Sequence, residues 1–238
     1  NHGGNITYYS LYTVYASNSS YPTINHQLNI TNLTNVYKEV FTFGLGSSCS
    51  VLSIPNTIHT LQNNITTTGT CFNITADNIT LDGNGYSIIG DGDFGDWGVY
   101  VKGRLNITIK NITSTNFSRG IYFENVNSST IENSIAFSNF QNGISFSYSN
   151  NNTVKDDIAN LNTQQGIMLS WSKSNMLKDN TAKYNSIDGI QLTSSSDNNN
   201  VLNNTVEENG GSGITLSTSD DNIIGNNSIL SNSLLCVD

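Results

Sequence analysis

The sequence predicts an all-β fold, a parallel β-helix solenoid with coils of about 23 residues. The first observation is a tetrapeptide, Gly-Ile-x-Phe or Gly-Ile-x-Leu, which occurs five times with glycine steps of 23, 23, 23 and 24 residues. Because one such repeat cannot bury its own apolar side, repeats of this length stack and form a solenoid. We expect two adjacent inward stacks: Ile121, Ile144, Ile167, Ile190 and Ile214, and beside them Phe123, Phe146, Leu169, Leu192 and Leu216.

The second observation is that two further apolar columns keep this period. One column is predicted at Ile131, Val154, Leu177, Leu202 and Ile224, and the other at Ile112, Ile135 and Ile158 before it weakens at Thr181. The repeats contain no apolar pattern of helical period, and their short β-branched runs are separated by Asn, Ser and Gly, as is typical of strands and turns. Three short strands per coil, stacked about 4.8 Å apart, are therefore predicted.

The third observation is that asparagines share the register of the repeat. One column precedes each motif glycine by four residues and comprises Asn116, Asn139, Asn162, Asn185 and Asn209. A second column comprises Asn152, Asn175, Asn200 and Asn222. Asn accepts the left-handed backbone conformation of a bend, and its amide can bond the equivalent amide in the next coil. Both columns predict asparagine ladders at the corners of the coils.

Residues 70–88, with the sequence TCFNITADNITLDGNGYSI, resemble the entry coil of right-handed parallel β-helix proteins of the NosD-like kind. They are most similar to the Asn/Thr-rich cell-surface versions of methanogenic archaea, which include surface-layer and sheath proteins. The resemblance covers residues 49–238 and implies a right-handed β-helix there, preceded by an N-terminal β-rich segment over residues 1–48. It says less about function, because this scaffold also carries polysaccharide lyases, epimerases and periplasmic maturation factors.

The N-terminal segment is rich in tyrosine and almost free of charge. Residues 1–37 contain no Asp, Glu, Lys or Arg, and the run from Ile6 to Tyr15 is β-prone on both faces. Such a strand invites pairing with another chain, so we expect Tyr8 and Tyr12 at an intermolecular contact. Packing of the same segment against its own β-helix, as a cap, is an equally good interpretation.

Composition indicates an extracellular protein. Charged residues make up 11% of the chain, against about 25% in an average soluble domain. Fourteen Asn-x-Ser/Thr sequons occur, and we expect covalent glycans at Asn5, Asn18 and Asn32, although an Asn/Thr-rich chain also generates sequons by chance. No apolar run is long enough to span a bilayer. A removed signal peptide fits a chain that begins at Asn1, as would a chain trimmed for expression.

The three cysteines suggest one bridge and one odd thiol. Cys49 and Cys71 are 22 residues apart, about one coil, which places them in adjacent coils within disulfide range. Cys236 is then left over near the end of the last coil. An odd cysteine in a secreted chain suggests an intermolecular link, so we expect Cys236 at or near a contact between copies of the chain.

The sequence contains no recognisable catalytic constellation. The repeats contain no His and two Arg, and we predict no catalytic residue and no enzyme activity. The cluster Asp91, Asp93 and Asp96 offers three hard oxygens to Ca²⁺, although a solvated loop is the simpler interpretation. We otherwise expect no cofactor. A net charge of -9 with nine basic residues argues against a nucleic-acid partner.

Two classes of function remain open from the sequence. The favoured one is a structural surface protein that assembles with copies of itself into a sheath, layer or filament through amyloid-like strand contacts at its ends. The alternative is a carbohydrate-active β-helix enzyme, such as a polysaccharide lyase or hydrolase, or a glycan-binding module. Tyr122, Tyr148, Trp171 and Tyr184 suit a sugar-binding face in that alternative, or packing of a loop in the other.

Overall fold

The computed structural model describes residues 10–18, 21–30, 41–45 and 48–234. The first two of these ranges form an antiparallel hairpin of β1 (Ser10–Asn18) and β2 (Tyr21–Ile30), for which only the backbone is described. The other described strands form three parallel sheets, so the predicted all-β solenoid is confirmed. Each coil passes once through each sheet, which is why like residues of successive coils lie side by side.

We call the three sheets I, II and III in the order in which a coil enters them. Sheet I has eight strands: β4 (Ser50–Leu52), β7 (Phe72–Ile74), β10 (Trp97–Lys102), β13 (Arg119–Glu124), β16 (Ile144–Ser147), β19 (Ile167–Ser170), β22 (Ile190–Thr193) and β25 (Ile214–Ser217). Sheet II has nine: β3 (Phe41–Leu45), β5 (Thr57–Leu61), β8 (Ile79–Asp82), β11 (Thr108–Lys110), β14 (Thr130–Glu132), β17 (Thr153–Lys155), β20 (Met176–Lys178), β23 (Asn200–Leu202) and β26 (Ile223–Gly225). Sheet III has eight: β6 (Ile65–Thr66), β9 (Ser87–Ile89), β12 (Thr113–Thr115), β15 (Ile135–Phe137), β18 (Ile158–Asn160), β21 (Thr181–Lys183), β24 (Thr205–Glu207) and β27 (Ser228–Leu230).

The motif isoleucines form the inward stack that the repeat predicts. Ile144 pairs with Ile121 on one side and Ile167 on the other, and the register continues through Ile190 to Ile214. All five isoleucines are fully buried. The adjacent stack is also confirmed, because Phe123 and Phe146 lie inside with their rings parallel and 5.0 Å apart. These two columns form the core that sheet I contributes.

The inward column of sheet II differs from the prediction in one coil. Val201, and not Leu202, pairs with Leu177 and is buried, so the column predicted at Leu202 is wrong by one residue. The preceding corner carries the extra residue of this coil, and both Ser194 and Ser195 have left-handed backbone, at φ 57° and 58°. The extra residue is absorbed in that turn, so the strand that follows keeps the register of the sheet.

Of the residues predicted for the inward column of sheet III, Ile112 is buried just before β12, but Ile135 and Ile158 were predicted on the wrong face. Ala136, Ala159, Ala182 and Val206 are fully buried there. Their neighbours Ile135 and Ile158, which we expected inside, point outward. Strand pairing and alternation set this face, because Ala136 pairs with Ser114 of one coil and Ala159 of the next, so the residue before it faces outward. The inward side chains pack against the motif glycines of sheet I, where a Cβ built on Gly120 would lie 2.9 Å from the Cβ of Ala136.

Asparagine ladders line the corners as predicted, with two changes of register. Asn139, Asn162, Asn185, Asn209 and Asn232 are linked amide to amide through successive coils. Asn116 does not join this ladder; it is exposed, at φ 61°, and Phe117 takes the place facing Asn139. The second ladder runs through Asn199 rather than Asn200, because of the extra residue in that coil. A third ladder, which we had not predicted, contains Asp157, Asn180, Asn204 and Asn227.

The N-terminal part of the solenoid is closed by a bridge and extended by one strand. Cys49 and Cys71 form a disulfide with their Cα atoms 4.4 Å apart. β3 pairs in parallel with β5, with Phe41 opposite Thr57, so the segment predicted to precede residue 49 contributes a strand to sheet II. None of the described residues forms a helix long and apolar enough to cross a membrane.

Candidate functional site

The outer face of sheet I carries a cluster of aromatic and charged side chains on β10 and β13. The pairing register places Trp97 opposite Arg119, Tyr100 opposite Tyr122 and Lys102 opposite Glu124. Because side chains alternate along a strand, Tyr100 and Lys102 face outward while Val99 and Val101 are buried. Trp97 is partly exposed and is separated from them by the buried Gly98. We call Trp97, Tyr100, Lys102, Arg119, Tyr122 and Glu124 the sheet I cluster.

The aromatic members of the sheet I cluster form one continuous wall. The rings of Tyr100 and Tyr122 are stacked, with centroids 5.5 Å apart and planes 19° apart. Trp97 lies 4.4 Å from Tyr100 and 5.9 Å from Tyr122, centroid to centroid. The Arg119 guanidinium carbon lies 4.3 Å from the centre of the Tyr122 ring, within cation–π distance. Arg119 Nε also donates to Gln141 Oε1 at 3.0 Å, which fixes the guanidinium over the ring.

Glu124 connects the aromatic wall to a second cation. Its carboxylate accepts a hydrogen bond from the Tyr100 hydroxyl at 2.5 Å and pairs with Lys102 Nζ at 2.7 Å. Hydrogen bonds from Lys102 and then Tyr100 lower the pKa of Glu124. Burial, and then the hydrogen bond to Glu124, raise the pKa of Tyr100. At neutral pH the site therefore presents an ionised carboxylate and a protonated phenol.

A groove lies beside the aromatic wall, over the first strands of sheet I. It has a volume of about 430 Å³. Its lining residues are Cys49, Ser50, Val51, Thr70, Cys71, Asn73, Trp97 and Tyr100. The disulfide links the two coils that form the floor of this groove, and the Trp97 carbonyl accepts a hydrogen bond from the Cys71 N–H at 3.0 Å. A concave surface with an aromatic side and a few polar groups is typical of a small-molecule or sugar site.

The arrangement is suited to bind a ring-shaped polar ligand. Flat aromatic faces contact the C–H face of a pyranose ring, and Arg pairs with a carboxylate through up to two parallel hydrogen bonds. The Tyr100 hydroxyl oxygen can accept a hydrogen bond from the ligand, since its own proton is donated to Glu124. Of these residues the sequence had indicated Tyr122 alone. Tyr100 was detectable as well, because it occupies the same place in Gly98-Val-Tyr-Val as Tyr122 occupies in Gly120-Ile-Tyr-Phe.

The aspartates proposed for calcium lie in the loop that precedes β10. Asp91 and Asp93 are exposed, and Asp91 Oδ1 accepts a hydrogen bond from the Asp93 N–H at 3.1 Å, which closes a local turn. Within the described residues, no group of three or more His, Cys, Asp or Glu side chains is placed to hold a metal ion. The geometry therefore gives calcium binding by Asp91, Asp93 and Asp96 no support.

Several other predicted sites fall outside the part of the chain that the structure describes. Tyr8, Cys236, Asn5 and Asn32 are among these residues. Asn18 and Tyr12 are described by their backbone alone, where Asn18 pairs with Tyr21 and Tyr12 with Leu28. Contact between copies of the chain and glycosylation at these residues remain predictions.

The three parallel sheets and the outward cluster define the protein as a parallel β-helix with a candidate ligand face. A family model described as the right handed beta helix region matches residues 97–237. The chain belongs to this family, which confirms the right-handed β-helix. The match does not extend to the finer resemblance to NosD-like and archaeal sheath proteins. No curated protein matches the chain in sequence.

Several solved structures have a similar fold. The A-module of the mannuronan C-5 epimerase AlgE4 from Azotobacter vinelandii has a TM-score of 0.51 and 16% identity, over 78% of this chain and 66% of that one. A variant of the periplasmic alginate epimerase AlgG has a TM-score of 0.57 and 15% identity, over 82% and 62%. A variant of DFA-IIIase from Arthrobacter chlorophenolicus A6 has a TM-score of 0.62 and 9% identity, over 79% and 56%. At such identities the likeness shows the fold.

These relatives correct one of our predictions. We expected no enzyme activity because the repeats contain no catalytic cluster recognisable in sequence, whereas the similar structures are epimerases and a DFA-IIIase. The expectation rested on finding no carboxylates and basic residues that converge in register on one face of the repeats. The structure shows a polar cluster that spans two coils, with Glu124 of one coil bonded to Tyr100 of the other.

Proposed function

We propose that this protein is a carbohydrate-active β-helix protein that binds a polysaccharide on the outer face of sheet I. The observation that carries the proposal is the wall of Trp97, Tyr100 and Tyr122 beside a groove, with Arg119 held over one ring. The fold likeness to two alginate epimerases supports the same class of substrate, although the chain spans 66% or less of those proteins.

The charges of the site favour a sugar that carries a carboxylate. The Arg119 guanidinium has five N–H donors, of which the bond to Gln141 uses one. Lys102 is already paired with Glu124, so Arg119 is the cation that a ligand carboxylate would meet. The net charge of -9 opposes a polyanion at long range. At physiological salt that repulsion is screened beyond about 8 Å, whereas a direct Arg–carboxylate contact is shorter than this.

Activity is tested by incubating the protein with alginate, with polygalacturonate and with a neutral glucan. β-Elimination is detected by the ultraviolet absorbance of unsaturated ends, hydrolysis by new reducing ends, and epimerisation by the proton NMR spectrum of the polymer. Binding is measured in parallel by calorimetry. The proposal requires binding of at least one polymer and predicts that turnover, where found, is lost when Tyr100 and Glu124 are replaced together. No binding of any polymer would refute it.

We expect Arg119→Gln to weaken the binding of an oligouronate by about tenfold or more, because a hydrogen bond to a charged group contributes about 1.5–3 kcal/mol. Binding of a neutral oligosaccharide should change much less. Lys155→Gln is the matched control, since it removes one positive charge from the outer face of sheet II, where Lys155 pairs with Glu132. Equal losses in the two variants would show that net charge, and not the site, governs binding.

A further inference from the structure

A second aromatic surface lies at the corner where the chain leaves sheet I in each coil. Tyr148 directly follows β16 and Trp171 directly follows β19. Their rings are parallel to within 5°, with centroids 5.8 Å apart, and the two residues are 52% and 47% exposed. Neither side chain fills the core. We call these two residues the corner pair.

The backbone at the corner pair is costly for aromatic residues. Tyr148 has φ 52° and Trp171 has φ 53°, in the left-handed region that Gly and Asn adopt more readily. In the two preceding coils the same corner holds Gly103 and Asn125. Left-handed backbone alone does not mark a site here, because Tyr184 at another corner has φ 58°. What distinguishes the corner pair is that two half-exposed rings are parallel to each other in adjacent coils.

The corner pair continues the sheet I cluster along the solenoid axis. Glu124 of β13 pairs with Ser147 of β16, and Ser147 pairs with Ser170 of β19. Tyr148 therefore lies one coil beyond Glu124, and Trp171 lies two coils beyond it, at the same edge of the sheet. With a coil spacing of about 4.8 Å, aromatic rings occur in four consecutive coils over about 14 Å along the axis. The corner pair is also displaced across the sheet, by the three residues that separate Tyr122 from Asn125, or about 10 Å. The small side chains of Ser147 and Ser170 lie on the outer face of sheet I next to the corner pair.

We propose that the corner pair is a second sugar-binding subsite, which holds the apolar face of a pyranose ring of the same polysaccharide. The inference rests on the proposed function and adds the direction of the ligand, which runs obliquely across sheet I from the sheet I cluster to the corner pair. Asn125 and Ser194, which have short side chains, occupy the same corner in the coils before Tyr148 and after Trp171. They leave room for a sugar ring at either end of the stacked rings.

The test measures the binding affinity of oligosaccharides of increasing length for variants whose new residue tolerates the left-handed backbone of the corner. Tyr148→Asn and Trp171→Asn introduce asparagine, the residue type that Asn125 already places at this corner in the preceding coil. The fold should therefore be retained. We expect each variant to bind long oligosaccharides about 2- to 12-fold more weakly, the range of a single aromatic contact. Short oligosaccharides that occupy the sheet I cluster alone should bind as they do to the wild type.

Tyr184→Asn is the matched control, because Tyr184 is 49% exposed, has left-handed backbone and lies at the corner after sheet III. It should bind oligosaccharides of every length like the wild type. If the wild type binds glycans but the corner variants match Tyr184→Asn at every length, the second subsite is refuted and the proposed function stands. If the wild type binds no glycan, both fail. Circular dichroism of each variant confirms that the fold is intact before binding is compared.

Discussion

Replacing Ile167 by Ala should lower the free energy of unfolding by about 2–5 kcal/mol. Ile167 is fully buried at the centre of the inward stack, between Ile144 and Ile190. Truncation removes three carbons from a column in which the coils above and below are held by their own strand pairing. Because this pairing prevents the neighbours from closing the gap, the loss includes a cavity as well as lost burial. Urea unfolding followed by circular dichroism measures the effect.

Met168→Ala is the control for Ile167→Ala, since Met168 is the next residue on β19 and faces outward. It should change the free energy of unfolding much less, because the methionine side chain is only partly buried. The slope of the unfolding curve must be compared as well, since a solenoid can lose its coils in steps. If Met168→Ala proved as damaging as Ile167→Ala, the inward face of sheet I would be misassigned by one residue.

Replacing Asp157 by Asn should stabilise the protein at neutral pH by about 1–3 kcal/mol, the cost of a buried polar group without a partner. Asp157 occupies an asparagine position in the third ladder and is 1% exposed. Its Oδ1 accepts a hydrogen bond from the Ser134 N–H at 2.7 Å, as Asn180 Oδ1 accepts one from the Asp157 N–H. Its Oδ2 is buried and has no hydrogen-bond partner.

The ladder explains why Oδ2 is the wrong atom at this place. In the next coil the Asn180 amide nitrogen donates to Val154 O at 2.9 Å and to Asn204 Oδ1 at 3.0 Å. Asp157 Oδ2 takes the place of that nitrogen, so it faces hydrogen-bond acceptors and can bond to one only when it carries a proton. Burial raises the pKa of Asp157 well above its ordinary value, and this outweighs the N–H groups that favour the carboxylate. The amide that Asp157→Asn introduces would restore both ladder bonds.

The gain from Asp157→Asn should depend on pH in a defined direction. A free Asp ionises near pH 4, whereas folded Asp157 keeps its proton to higher pH. The wild type therefore loses stability as pH rises from about 4 through the raised folded-state pKa, and the variant does not. Asp156→Asn is the control, since Asp156 is adjacent, exposed and left-handed at φ 58°. A gain that is equal in the two variants, or independent of pH, would contradict a buried acid in the ladder.

The position of the site could be predicted from the sequence only in part. Tyr122 was predicted as a candidate for a sugar-binding face because it stands at the outward position of its motif. Its stacking with Trp97 and Tyr100 depends on which residues of the previous coil lie opposite, and the number of residues per coil varies. The calcium site at Asp91, Asp93 and Asp96 stays a prediction, because proximity along the chain does not by itself place three carboxylates around one point.

The sequence by itself determined that the protein is a solenoid of parallel strands and which residues form the core of sheet I. The physical reason is that a strand alternates its side chains, so a motif repeated every 23 residues must present the same face in every coil. Only the tertiary structure decided the inward residues of sheet III, because the pairing of Ala136 with Ser114 and Ala159 sets which face Ile135 takes. It also decided the ladder position of Asp157 and the parallel stacking of Tyr148 on Trp171, because both depend on contacts between coils.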